Sequence, residues 1–235
     1  MMGIRSRLKR RLWRWLGDRI LFNRAVRERW CRQEFFYNAF MALKFNGIQG
    51  DYLEFGCWGG RTFAMAYHEA RRNAHGARFW AFDSFEGLPP PKTAKDDHPH
   101  WIQGALAISL DSFHQACAAN GIPREAYTTV PGFYDQSLPA LAAGNAPDNL
   151  ALAYIDCDLY SSTSTVLDFL APRMKHGMIV AFDDWYCWST TQISGERRAM
   201  LDFQSRNGRW EWVPYMHFGW HGNSFVLEDR SLTAK

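Results

Sequence analysis

The spacing of apolar positions changes period along the chain. Near the start, Ile4, Leu8, Leu12 and Leu16 recur every four residues with arginines between them, the stripe of an amphipathic helix. A second helical spacing covers 33–45 and stops at Asn46-Gly47, a C-terminal capping signal. Beyond it, apolar runs of strand length alternate with helical spacings. Strands are predicted over 51–55, 78–82, 127–130, 150–155 and 178–182, and helices over 61–74, 109–120, 162–170 and 196–205. Residues 210–215 and 224–227 read as a closing β-hairpin. This order predicts an α/β fold: a Rossmann-like, doubly wound, mostly parallel sheet with a C-terminal antiparallel hairpin and an N-terminal helical arm. The arm is taken as 1–46 and the domain as 47–235. The stretch 84–104, rich in Pro, Asp and His, carries neither period; a loop that long inside a compact domain is usually functional, and this one reads as a lid.

Charge divides the chain in the same place. Residues 1–34 hold eleven Lys/Arg against three acids, a net +8, while the remainder carries 16 Lys/Arg against 21 Asp/Glu. A basic amphipathic helix suits an anionic membrane surface, a second subunit of a homo-oligomer, or its own domain, the plainest of the three. An acidic body without a recognition motif argues against nucleic acid. No apolar run approaches the roughly 18 residues of a membrane span, and the N-terminus lacks the apolar stretch of a signal peptide. Five scattered cysteines without a CxxC pair argue against a disulfide framework or structural zinc and suit a reducing, cytoplasmic setting. The aromatic share of 16%, with eleven tryptophans, is high: most of those rings suit the core, and some suit a pocket for a bulky or sugar-like ligand.

Ligands of doubly wound sheets bind beyond the carboxyl ends of the strands. The first strand runs into Glu54-Phe55-Gly56-Cys57-Trp58-Gly59-Gly60, a turn that can bring backbone N–H groups against a ligand at a helix start. The second ends at Asp83-Ser84, a carboxylate placed to accept the ribose hydroxyls of an adenosine cofactor. Trp58 stands where a dinucleotide fingerprint requires glycine for the pyrophosphate, which disfavours NAD. A sulfonium methyl donor has no phosphates, and Glu54 and the Trp58 face would favour its positive charge. The next two strands end in Asp156-Cys157-Asp158 and Asp183-Asp184. Clustered carboxylates repel unless neutralised, and hard oxygen ligands suit Mg²⁺. Asp158 is expected to point away from Asp156 if the strand stays extended that far.

The blocks GDYLEFGCWGG, FDSFEGLP, VPGFYDQSLP, YIDCDLYSST and IVAFDDW, in this order, resemble the TylF/MycF family of macrocin-type O-methyltransferases, a class I S-adenosylmethionine-dependent family. The resemblance implies transfer of a methyl group from S-adenosyl-L-methionine to a hydroxyl of a small-molecule acceptor, a sugar or glycosylated natural product. It implies cofactor contacts from Gly56, Cys57, Trp58, Gly59 and Gly60, from Asp83 and Ser84, and from Gly132 and Phe133. It also implies Mg²⁺ held by Asp156, Asp183 and Asp184, with Asp156 as general base. Gly59 departs from the arginine that members often carry there. Two rival readings remain: a metal-dependent glycosyltransferase using Asp156-Cys157-Asp158 as a DxD motif, and a non-catalytic binding module on the same fold. His98, His100 and Trp101 on the long loop, with His217 and His221 opposite, are candidates for the acceptor's walls.

Overall fold

A computed structural model describes residues 22–233, together with Trp15 and Gly17. The stripe from Ile4 to Leu16 lies outside the described residues. Within residues 22–233 the α-helices and strands follow in the order α1 (Arg24–Phe45), β1 (Asp51–Phe55), α2 (Arg61–Arg72), β2 (Phe79–Asp83), α3 (Leu110–Ala119), β3 (Tyr127–Pro131), α4 (Tyr134–Ala142), β4 (Leu150–Ile155), α5 (Tyr160–Leu170), β5 (Ile179–Phe182), α6 (Gly195–Arg206), β6 (Trp210–Phe218), β7 (Gly222–Asp229) and the single turn α7 (Arg230–Thr233). The sheet order is β3-β2-β1-β4-β5-β7-β6, parallel through β5, with β7 antiparallel to both β5 and β6. This is the doubly wound sheet with its closing hairpin that the periodicity predicts.

Alternation along the strands builds two cores, one on each face. Leu53 and Phe55 of β1 join Val180 and Phe182 of β5 beneath α5 and α6, which contribute Val166, Leu167, Ala199 and Phe203. Tyr52, Tyr154 and Ala181 face the opposite core with Phe63 of α2 and Phe113 of α3. Helix α1 supplies Phe35, Phe36, Ala39, Phe40 and Leu43 to that second core, so the end of the segment assigned to the arm packs into the domain. Truncating one such phenylalanine to alanine would cost about 3–5 kcal/mol.

Two elements differ from the sequence reading. Helix α1 begins at Arg24, where Asn23 accepts the N–H of Val26, nine residues before the apolar spacing becomes visible. Its first three turns put few apolar side chains inward, so the periodic signal is absent there. Helix α4 has no counterpart in the sequence reading; Pro139, sixth of its nine residues, has no N–H and so forgoes one helical hydrogen bond. The stretch 84–104 contains one short 3₁₀ turn, Ala94–Asp96, and is pinned rather than loose. Buried Asp96 accepts N–H groups from Lys92 and Thr93 and from Ser161 in the first turn of α5.

Candidate active site

Parallel register aligns the strand ends. Phe82, Phe55, Ile155 and Phe182 form one row across β2, β1, β4 and β5. One step later the backbone N–H groups of Gly56, Asp156 and Asp183 donate to Phe82, Phe55 and Ile155, each at 2.8 Å. Asp83, Gly56, Asp156 and Asp183 therefore leave the sheet side by side. At Gly56, φ is +90° and a Cβ would stand 1.7 Å from the Asp156 carbonyl oxygen. Any side chain there would push apart the two strands that carry the site.

A cleft of about 270 Å³ opens over this row, lined among others by Gly56, Trp58, Asp83, Ser84, Phe133, Asp156 and Asp158. On its β1–β2 side the Asp83 carboxylate accepts the N–H groups of Cys57 (2.8 Å), Trp58 (3.2 Å) and Phe85 (2.8 Å). It thus braces the glycine turn while also facing the cleft. Gly132 donates its N–H to the Asp83 carbonyl at 3.0 Å, and the Ser84 hydroxyl closes its own turn through Gly87 and Glu86.

Several residues named for direct contact do not line the cleft. Cys57 is buried with its thiol against backbone carbonyls, Gly60 starts α2 against Phe113, and Gly59 and Gly132 shape the turns. Glu54 is fully buried beneath the turn, where the hydroxyls of Tyr52 and Thr62 donate to it. Burial pushes its pKa up to about 8, so it is largely protonated near neutrality.

The β4–β5 side is acidic and crowded. Asp158 does not continue the strand: β4 ends at Ile155 and Asp158 has φ +59°, so the extended geometry on which its pointing away from Asp156 depended is absent, and both line the cleft. It is buried and its carboxyl bonds to that of Asp184. Glu196, from the first turn of α6, is fully buried as well and accepts the N–H groups of Cys157 (3.0 Å) and Asp184 (2.9 Å). Burial first, then mutual repulsion, raises Asp156, Asp184 and Glu196 well above the ordinary carboxylate range and Asp158 to about 7. Asp183 is the exception. Burial would raise it too, but the Arg32 guanidinium overrides this with two hydrogen bonds of 2.9 and 2.6 Å, and His221 and Tyr154 add to the effect, leaving it below that range.

Among the described residues, ligand atoms of Asp183, Asp184 and His221 lie within 4.8 Å of one another. The His221 Nδ1 is 2.5 Å from the Asp183 carbonyl oxygen, so that nitrogen donates to backbone and the ring supports Asp183. No described side chain donates a hydrogen bond to Asp156, and the acids outnumber the cation that reaches them. Asp156 lies outside the group of Asp183, Asp184 and His221, although the charges of Asp183 and Asp184 act on it. Hard oxygen donors short of countercharge are the donor type that a divalent cation of the Mg²⁺ kind takes, and Asp183 shares its oxygens with Arg32.

Three supporting residues escaped the sequence reading. Arg32 is one of many arginines near the N-terminus, Tyr154 sits inside an apolar strand, and Glu196 opens an unremarkable polar helix; none carries a local signal. Of the candidate wall residues, His98 stacks on buried Trp101 at 4.0 Å and His217 approaches the Tyr186 hydroxyl at 3.4 Å. The thiols of Cys57 and Cys157 are held protonated by burial and are poor nucleophiles.

Comparison with known proteins agrees with this architecture. The chain is 32% identical over 174 residues to 8-demethyl-8-(2,3-dimethoxy-alpha-L-rhamnosyl)-tetracenomycin-C 4'-O-methyltransferase of Streptomyces olivaceus, covering 69% of this chain and 61% of that protein. It is 30% identical over 179 residues to mycinamicin III 3''-O-methyltransferase of Micromonospora griseorubida, covering 69% and 63%. The matches thus span somewhat less than two thirds of these relatives. In fold it resembles the O-methyltransferase NovP, with a TM-score of 0.70 at 23% identity over 85% of this chain and 80% of that one. The calicheamicin methyltransferase CalS11 follows at a TM-score of 0.66 and 22% identity, over 90% and 83%. A family model, macrocin-O-methyltransferase (TylF), matches residues 30–211, from just before Arg32 to the start of the hairpin, and the chain belongs to that family.

Proposed function

We propose that this chain is a Mg²⁺-dependent O-methyltransferase that moves a methyl group from S-adenosylmethionine to a hydroxyl of a glycosylated small molecule. The observation that carries the reading is that Asp156 lines the same cleft as Gly56 and Asp83. A base at one end of a nucleoside-sized cleft and a ribose acceptor at the other suit transfer between two bound partners. Asp83 keeps lone pairs for ribose beyond the three N–H groups it already accepts. Asp156, which lines the cleft and receives no hydrogen bond from a described side chain, is the carboxylate placed to take the proton of the acceptor hydroxyl. Asp156 and Asp184, with Asp183, would hold the cation, which when bound supplies Lewis-acid stabilisation of developing negative charge. The relatives' names specify sugar-bearing natural products, and the acceptor class is proposed on that basis.

Calorimetry and turnover test this together. S-adenosylhomocysteine should bind with equal affinity in Mg²⁺ and in EDTA, while methylation of glycosides stops in EDTA and returns with Mg²⁺. Full turnover in excess EDTA would remove the metal. Binding of a UDP-sugar in place of S-adenosylhomocysteine would replace the reading with the glycosyltransferase.

A further inference from the structure

Beyond the rung from Asp183 N–H to the Ile155 carbonyl, no further backbone hydrogen bond joins the loops that follow β4 and β5. Both loops carry proposed cation ligands, and both are tied to one side chain. Glu196 Oε1 accepts from Cys157, the residue after Asp156, and Oε2 accepts from Asp184 itself. A carboxylate is suited to this because it offers two acceptors at a fixed separation; glutamine offers one acceptor and one donor, which would oppose an N–H.

The helix that carries the Glu196 clamp is anchored by packing. Helix α6 is fixed by Ala199, Met200 and Phe203 in the core. It starts at Gly195 with φ +59°, where a Cβ would fall 2.4 Å from the Trp101 ring. The distance from helix to loops is thereby set by packing on two sides.

We propose that Glu196 is a positioning residue: it holds the loops after β4 and β5 at the separation that lets Asp156 and Asp184 bind one divalent cation. This rests on the metal reading above. Its own carboxylate faces backbone donors and acts through Asp156 and Asp184.

Manganese binding followed by electron paramagnetic resonance tests it on the full chain, with S-adenosylhomocysteine affinity as the measure of an intact fold. Glu196→Gln should weaken Mn²⁺ roughly 10–100-fold, the usual cost of losing a partner that orients a metal ligand, and leave S-adenosylhomocysteine within about twofold. Glu196→Asp keeps the charge but is one methylene too short to span both N–H groups, and should also weaken Mn²⁺ at least about fivefold. Aspartate restoring wild-type affinity would show a charge effect alone and overturn the positioning role. Both variants matching a wild type that binds Mn²⁺ would overturn it too, leaving the metal reading intact. A wild type that binds no Mn²⁺ would remove the metal reading and this inference with it. Wild-type amide spectra give a check that needs no variant. The Cys157 and Asp184 N–H groups should exchange slowly without metal and shift together as Mg²⁺ is added; fast exchange at both would overturn the clamp.

Discussion

At the ends of β1 and β2, one carboxylate, Asp83, is surrounded by three backbone N–H groups within the two turns it joins. At the ends of β4 and β5, Asp156, Asp158, Asp183, Asp184 and Glu196 are packed together, and Arg32 pairs one of them. The first side is complete in the protein alone. The second is short of countercharge, and burial together with mutual repulsion raises its acids, Asp183 excepted. The lesson is that adjacent strand ends of one sheet can differ sharply: one carboxylate satisfied by backbone donors, the other cluster held in a costly state, which the proposed cation would relieve.

The largest expected effect breaks the acidic side while sparing the other. Asp156→Asn retains shape but loses charge and basicity, and should lower kcat by roughly 10²–10⁴-fold, the usual contribution of a general base. S-adenosylhomocysteine affinity, measured by calorimetry, should stay within a few-fold. Asp158→Asn can keep a hydrogen bond to Asp184, so its loss should be smaller. An Asp158 variant slower than the Asp156 one would exchange their roles.

A second test asks what holds the acidic side together without metal. Arg32→Met leaves Asp183 buried with Tyr154 and His221 but without its guanidinium. Removing one partner of a largely buried pair should cost about 3 kcal/mol, read as a shift in the urea midpoint. Asp183 also gives this pair a pH signature. Its depressed pKa contributes stability that is present above the ordinary carboxylate range and is lost as pH falls through the lower folded value. In the variant that acid-side loss should disappear. An unchanged midpoint would mean that the ion pair does not form in solution.

The two sides also differ in how far the sequence reveals them. The glycine turn and Asp83 are contiguous blocks whose partners are close in the fold's simplest unit, so Gly56, Trp58, Asp83 and Ser84 could be named from spacing and are found on the cleft. Asp156, Asp158, Asp183 and Asp184 are also visible as acids following apolar strands, and their narrowing to Asp156, Asp183 and Asp184 comes from the resemblance. Their support is not visible. Arg32 lies 151 residues from Asp183, Glu196 bonds to Cys157 from 39 residues away, and Asp158 turns on a backbone angle that alternation alone cannot foresee. Glu54 shows the opposite failure: it sits inside the motif, yet its position on the strand points it into the core rather than the cleft.

Glu54 also supplies the smallest and sharpest test, because it is a buried acid on the cofactor side. Its folded pKa of about 8 lies above the ordinary 4.5, so the folded state binds more protons between those values. Stability must therefore fall as pH rises through that window, and the fall ends above the folded value. Between pH 6.5 and 9 the loss should be about 2 kcal/mol, and Glu54→Gln, which cannot ionise, should lack it. Comparing the two proteins at both pH values cancels the acids of the β4–β5 side, which titrate in each. The same variant decides whether Glu54 senses the cofactor's charge. S-adenosylmethionine carries a sulfonium that S-adenosylhomocysteine lacks, so an ionised Glu54 beside it would favour the former. With Glu54 protonated beneath the turn, the ratio of the two affinities at pH 7 should be the same in wild type and Glu54→Gln. A ratio that falls in the variant would place this carboxylate back among the cofactor's contacts and make the two sides of the site electrostatically alike.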